Sequence, residues 1–153
     1  MKTSFLLRAI SHSFWGRLAL HALWLHGSWE AVQCAFFYAM GDVALVPGIA
    51  IMVGATLADI ALTLLLVWIA LRLSVQSTRF SLLRAAPPLI GLGGGVAVFI
   101  EAVGQEAAHW WRYSAAMPAF QIFEWQIGLF PVLQMAFLPL ICLVLTSRRL
   151  RVR

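Results

Sequence analysis

Four apolar stretches, at 18–41, 43–71, 85–108 and 127–146, dominate this sequence. At about 1.5 Å of rise per residue, each is long enough to cross a hydrocarbon core of about 30 Å. Such a chain has few alternatives, because in lipid the backbone polar groups must be satisfied within the segment that carries them. Composition points the same way. Of 153 residues, 62% are hydrophobic and 11% charged, which leaves too little polar surface for an ordinary soluble domain or a disordered chain. The expectation is an all-α fold: one integral-membrane four-helix bundle over 1–153, with 109–126 as a cap between the last two spans.

The net charge of +5 matters less than its placement. Lys2, Arg8 and Arg17 precede or open the first stretch, Arg72, Arg79 and Arg84 bracket the second connection, and Arg148, Arg149, Arg151 and Arg153 close the chain. Only Arg112 lies elsewhere. The positive-inside rule then puts both termini and the second connection in the cytoplasm, and 41–48 and 109–126 outside. The expected location is a bacterial cytoplasmic (inner) membrane, multi-pass, with the lipid bilayer as first partner. A nucleic-acid binder gathers its basic residues on one accessible face, so nucleic acid is not an expected partner. Lys2 and Arg8 would suit a secretory signal, but His21, His26 and Glu30 interrupt the apolar run and no clear small-residue cleavage site follows. The first span is therefore expected in the mature protein, with 1–16 along the cytoplasmic interface.

Glu30, Asp59 and Glu101 fall inside the spans, where an isolated charge costs several kcal/mol. Counting from the expected external ends, Glu30 and Asp59 lie about 16 Å deep, Glu101 about 13 Å and Gln134 about 18 Å. Each helix thus brings one polar group to a similar depth. Helical spacing gives the facing independently: His26, Glu30 and Cys34 form a stripe on the first helix beside Gln33, and Thr56, Asp59 and Thr63 on the second. Glu101, Gln105 and His109 form one on the third. Three acids in a low-dielectric layer cannot all stay ionised, which suits proton transfer. The plainer alternative is polar glue between helices.

Other chemistry finds less support. Glu106 and His109 have the Glu-x-x-His spacing of di-metal carboxylate sites, but the pattern needs a second pair and His26 with Glu30 is only approximate. No metal ligand set or cofactor is assigned, although a hard cation on carboxylate and amide oxygens stays compatible. Cys34 and Cys142 differ by about 20 Å in depth, too far for a disulfide. Familiar nucleophile and zinc-hydrolase motifs are missing from the sequence. Gly91, Gly93, Gly94 and Gly95 let a neighbouring helix approach closely. Pro131 and Pro139 are expected to free the carbonyls of Ile127 and Met135. Trp110, Trp111, Tyr113 and Trp125 read as interfacial anchors or as an aromatic lid, in a segment apolar enough to dip into the membrane or cap the bundle.

Several motifs resemble those of a group of small four-span bacterial inner-membrane proteins, uncharacterised in activity. They are Trp-Glu-x-x-Gln at Trp29, Glu30 and Gln33, followed by Tyr38; Trp-x-Tyr-Ser-x-x-Met-Pro at Trp111, Tyr113, Ser114, Met117 and Pro118; and Gly-Leu-x-Pro-x-Leu-Gln at Gly128, Leu129, Pro131, Leu133 and Gln134. Asp59 and Glu101 match an Asp and a Glu in the group's second and third spans. The resemblance covers about 29–139, departs after Glu101, and implies no activity.

The functional expectation is a buried carboxylate site in the outer half of the membrane, for acid/base or cation-assisted chemistry on a lipophilic small molecule. Glu30, Asp59 and Glu101 would be the reacting or binding groups and Gln134 would orient them. Trp29, Gln33, Trp111, Tyr113 and Met117 would contact the substrate. A proton or cation conduit, and an accessory subunit of a membrane complex, are the alternatives.

Overall fold

A computed structural model describes residues 12–74 and 82–148. Most of the expected interfacial segment 1–16, most of the second connection and the basic tail beyond Arg148 lie outside the described residues. Among the described residues there are four long helices: α1 (His12–Phe36), α2 (Leu45–Ser74), α3 (Leu82–Glu101) and α4 (Leu129–Arg148). They form a ring in which α1 packs on α2, α2 on α3, α3 on α4 and α4 back on α1. The described termini, the end of α2 and the start of α3 share one end, here the terminal end; the α1–α2 connection and a small hairpin share the other, the hairpin end.

Helices α2, α3 and α4 are long and apolar enough to cross a membrane. Helix α1 has the length but carries Arg17, His21, His26, Glu30 and Gln33, which lower its mean hydropathy. Its packing is inverted relative to a soluble helix. His26, Glu30 and Gln33 are buried, while Leu20, Leu23, Trp24, Val32 and Phe36 are exposed. Only an apolar surrounding, lipid or partner protein, makes that arrangement favourable.

Each helix end departs from the sequence expectation for a local reason. The first span was expected to reach residue 41, but α1 stops at Phe36. There Phe37 N and Tyr38 N both donate to Gln33 O, at 2.8 and 3.0 Å, and Ala39 N turns away to Arg112 O at 2.9 Å. Glu30 is therefore only about 9 Å from the end of its helix, whereas Asp59 is about 21 Å from the start of α2. The two still meet, because the first turns of α2 stand clear of the bundle with Leu45 and Val46 exposed.

Small and branched side chains fill the core: Leu18 and Ala22 from α1, Leu66, Val67 and Ala70 from α2, Ala85, Leu89 and Ala97 from α3, and Cys142 and Leu143 from α4. The α3–α4 seam is the tightest. A Cβ on Gly93 would lie 2.0 Å from Met135 O. Pro139, inside α4, cannot donate to that carbonyl, so the oxygen it frees rests against the bare Cα of Gly93. The glycine cluster thus has one indispensable member, since Gly91 and Gly95 have no atom within 4 Å of an added Cβ.

Beyond Glu101 the chain widens into a π-helical turn, Ala102–Ala107, closed by Ala108 N to Val103 O at 2.8 Å. Residues 112–114 then pair with the strand-like exit of α1 through an antiparallel Tyr38–Tyr113 bridge. Strands β1 (Ala119–Ile122) and β2 (Trp125–Gly128) form an antiparallel hairpin with Ala119 opposite Gly128 and Ile122 opposite Trp125. The fold is mostly helical, as expected, with this short hairpin added, and the fourth helix begins at Leu129 instead of 127. Ile127 belongs to β2, opposite Phe120. Pro131 consequently falls in the first turn of α4, where no intrahelical donor is needed, and frees no carbonyl.

Candidate functional site

Gln134 is the hub. It sits one turn inside Pro131 on α4, buried to 4% exposure, with α1 and α2 beside it. Its Nε2 is 3.0 Å from Glu30 Oε1, 2.5 Å from Asp59 Oδ2 and 3.0 Å from His26 Nδ1, and its Oε1 accepts from Gln33 Nε2. Three helices are therefore tied through one amide.

Proton counting sets the tautomers. Two hydrogens on Nε2 face three acceptors, and His26 Nδ1 also lies 3.3 Å from Asp59 Oδ2. The count closes when Gln134 gives one hydrogen to each carboxylate, His26 donates from Nδ1 to Asp59, and the Thr63 hydroxyl donates to His26 Nε2 at 2.9 Å. Thr63 and His26, both fully buried, thus stand behind the two acids. His26 lay on the polar stripe of α1 but received no site role from sequence. Its partner Thr63 was the available signal.

Glu101 has a separate set of partners. Its carboxylate accepts from the hydroxyl of Tyr113, from Tyr38 OH at 3.4 Å and from Trp111 Nε1 at 3.4 Å. The Tyr113 oxygen in turn accepts Gly128 N–H at 2.8 Å. Burial, then the neighbouring Glu101 carboxylate, push the Tyr38 phenol up, so it remains a donor at neutral pH. Two glycines make room for these rings: an added Cβ would lie 2.0 Å from the Trp111 ring at Gly104 and 3.0 Å from the Tyr113 ring at Gly128. Gly128 entered the sequence reading only as part of a motif, and Gly104 not at all, although Gly104 follows Glu101 by one turn and precedes the paired tryptophans.

Both sets of groups open onto one cavity of about 270 Å³. Glu30, Asp59, Glu101 and Gln134 reach it, one from each helix. The remaining wall is apolar, from Ile51, Ala55, Ala58 and Leu62 on α2, Ala97 and Ile100 on α3, and Pro131 and Met135 on α4. Cys34, Tyr38, Met40, Trp110 and Trp111 complete it towards the hairpin end. Ile51, Ala58 and Trp110 are exposed, so the mouth lies between the upper parts of α2 and α3. Asp59 is the acid nearest the mouth, with 17% of its side chain accessible; Glu30 and Glu101 are buried.

Of the residues expected to contact substrate, Trp111 lines this cavity. Trp29 packs edge-on against Phe130, Gln33 is buried behind Gln134, Tyr113 stands behind Glu101, and Met117 is buried beneath the hairpin segment. These four build the surroundings of the cavity and are not among its lining residues. Below the site, Ala22, Leu66, Val67, Leu89 and Cys142 form a buried apolar layer. His21, hydrogen-bonded to Thr146 at 3.0 Å, lies on its far side. His109 is exposed and bonded to Gln105 O, and the side chain of Glu106 lies outside what is described. Among the described residues no group of three or more His, Cys, Asp or Glu is placed to hold a metal ion.

Comparison of the chain with known protein families, with curated proteins and with solved structures finds no match.

Proposed function

We propose that this chain is a four-span inner-membrane protein with both termini in the cytoplasm, and that its cavity is an acid/base site for a lipophilic small molecule entering sideways from the outer leaflet. The fourth span is α1, whose outward apolar face supports a lipid environment that its composition alone does not. Orientation rests on charge. Arg17, Arg72, Arg84 and Arg148 belong to the terminal end, whereas the hairpin end has Arg112 with Asp42 and Glu124. The motifs shared with four-span bacterial proteins favour the same topology.

The observation that carries the reading is an apolar, laterally open cavity into which each helix sends one polar side chain. Glu30 and Asp59 converge on one amide donor, an arrangement of paired carboxyl groups suited to giving and taking a proton. Across the cavity Glu101 is surrounded by donors, a setting that suits a carboxylate acting as acceptor. A proton source facing a proton acceptor is the arrangement that general acid–base catalysis requires. The apolar layer beneath the site is the reason a conduit is not preferred, and the burial of Glu30 and Glu101 within one protomer is the reason an accessory subunit is not.

The test is to extract the protein with its surrounding lipid into polymer discs and identify co-purifying apolar molecules by mass spectrometry. A molecule enriched over bulk lipid in the unaltered chain and lost in Ala58→Trp, which fills the mouth, is the expected result. An identical lipid profile in both would remove the pocket from consideration.

A further inference from the structure

We propose that the molecule this cavity takes is a small lipophilic cation, such as a protonated or quaternary amine with an apolar body. This deepens the reading above and rests on it. Within the 270 Å³ space, three carboxylates meet a wall that includes no Lys or Arg. Among the described residues the only Lys, Arg or His side chain in contact with the acids is His26, whose Nδ1 lies 3.3 Å from Asp59 Oδ2. Three carboxyl groups confined in an apolar cavity with no Lys or Arg in its wall favour a ligand that brings its own positive charge, taken up in exchange for a proton.

The cavity wall supplies the second half of the recognition. Tyr38, Trp110 and Trp111 border the acids on the hairpin side, and aromatic faces attract an alkylammonium group where water is scarce. Ala55, Ala58, Ala97 and Ile100 offer an apolar bed for the body of the molecule, and the mouth between α2 and α3 gives a tail an exit into lipid. A neutral lipid would use that bed without supplying the positive charge that the cavity wall lacks. An anion would be repelled by them. At about 270 Å³ the space sits near the lower edge of ordinary small-molecule pockets, so the charged head must be small.

Exchange of a cation for a proton makes binding pH-dependent. The titratable groups facing the site are Glu30, His26 and Cys34 on α1, Asp59 on α2, Glu101 on α3, and Tyr38 and Tyr113 from the connections; α4 contributes Gln134, which does not titrate. The proton leaves past exposed Trp110, on the hairpin side of the cavity, to the water at that end, and affinity for the cation rises with pH.

Benzyltrimethylammonium and its uncharged isostere neopentylbenzene separate charge from shape. Both are titrated against the full chain in lipid discs, following the fluorescence of the tryptophans and proton release into weak buffer. The expected result is saturable quenching by the cation, with proton release, and binding at least roughly tenfold tighter than that of the isostere. Asp59→Asn and Glu101→Gln should each weaken the cation and leave the isostere unchanged. Equal binding of the two probes overturns the cation assignment and leaves the lipophile pocket standing. Saturable binding of neither, with no lipid lost in Ala58→Trp, overturns both. The isostere comparison is made on the unaltered chain and so does not depend on any variant folding.

Discussion

Gly93→Ala tests the contact that holds the two halves of the site together. A Cβ at this position would lie 2.0 Å from Met135 O and 2.9 Å from Met135 C, where a carbon and a carbonyl oxygen ordinarily stay about 3.3 Å apart or more. Both partners are backbone, so no rotamer can relieve the overlap. Helix α3 would have to retreat from α4 by roughly an ångström. Overpacking of this kind costs about 1–3 kcal/mol, or about 5- to 150-fold in the folding equilibrium. Gln134 precedes Met135, and Glu101 lies two turns above Gly93, so the same retreat widens the cavity. Gly91→Ala and Gly95→Ala are the controls. Neither added Cβ meets an atom within 4 Å, and removing a mid-helix glycine gains up to about 1 kcal/mol. Unfolding in mixed micelles of increasing SDS fraction, followed by circular dichroism, measures all three. Gly93→Ala unfolding within about 0.5 kcal/mol of Gly95→Ala would refute the close approach of α3 to α4.

Tyr113→Phe removes the donor to Glu101 and the acceptor of Gly128 N–H together, at an expected cost of about 1–3 kcal/mol, and hydrogen exchange at the β2–α4 junction should quicken. Tyr38→Phe, which loses only a 3.4 Å contact, should cost under about 1 kcal/mol in the same unfolding assay. Cys34 borders the cavity while Cys142 is buried, so a small membrane-permeant thiol reagent should label Cys34 alone, as read by peptide mass spectrometry; Ala58→Trp should slow the labelling. Gly104→Ala pushes on the Trp111 ring, which unlike a backbone can move, and should raise the acrylamide quenching of tryptophan fluorescence with only a modest loss of stability.

The sequence by itself determined that α2, α3 and α4 are long apolar helices, because a run of about twenty apolar residues has no other economical way to satisfy its backbone in lipid. It also singled out Glu30, Asp59, Glu101 and Gln134, since polar groups stand out against an apolar background. What it could not determine was which of them touch. In a soluble helix the apolar face marks the inside; here both faces are apolar, and only the sparse polar residues indicate direction. Depth counting placed Glu30 and Asp59 together from helix ends that the structure moves by several residues. Their true meeting depends on α2 rising above α1 and on Gln134 lying between them. The separate partners of Glu101 were still less legible. They require a π-helical turn and the Tyr38–Tyr113 bridge to bring residues from two other stretches of chain to one carboxylate, and no local pattern encodes the contact between Tyr38 and Glu101. Tertiary packing decided that Gly93 and Gly104 matter while Gly91 and Gly95 do not, because the value of a missing side chain is set by what stands opposite it.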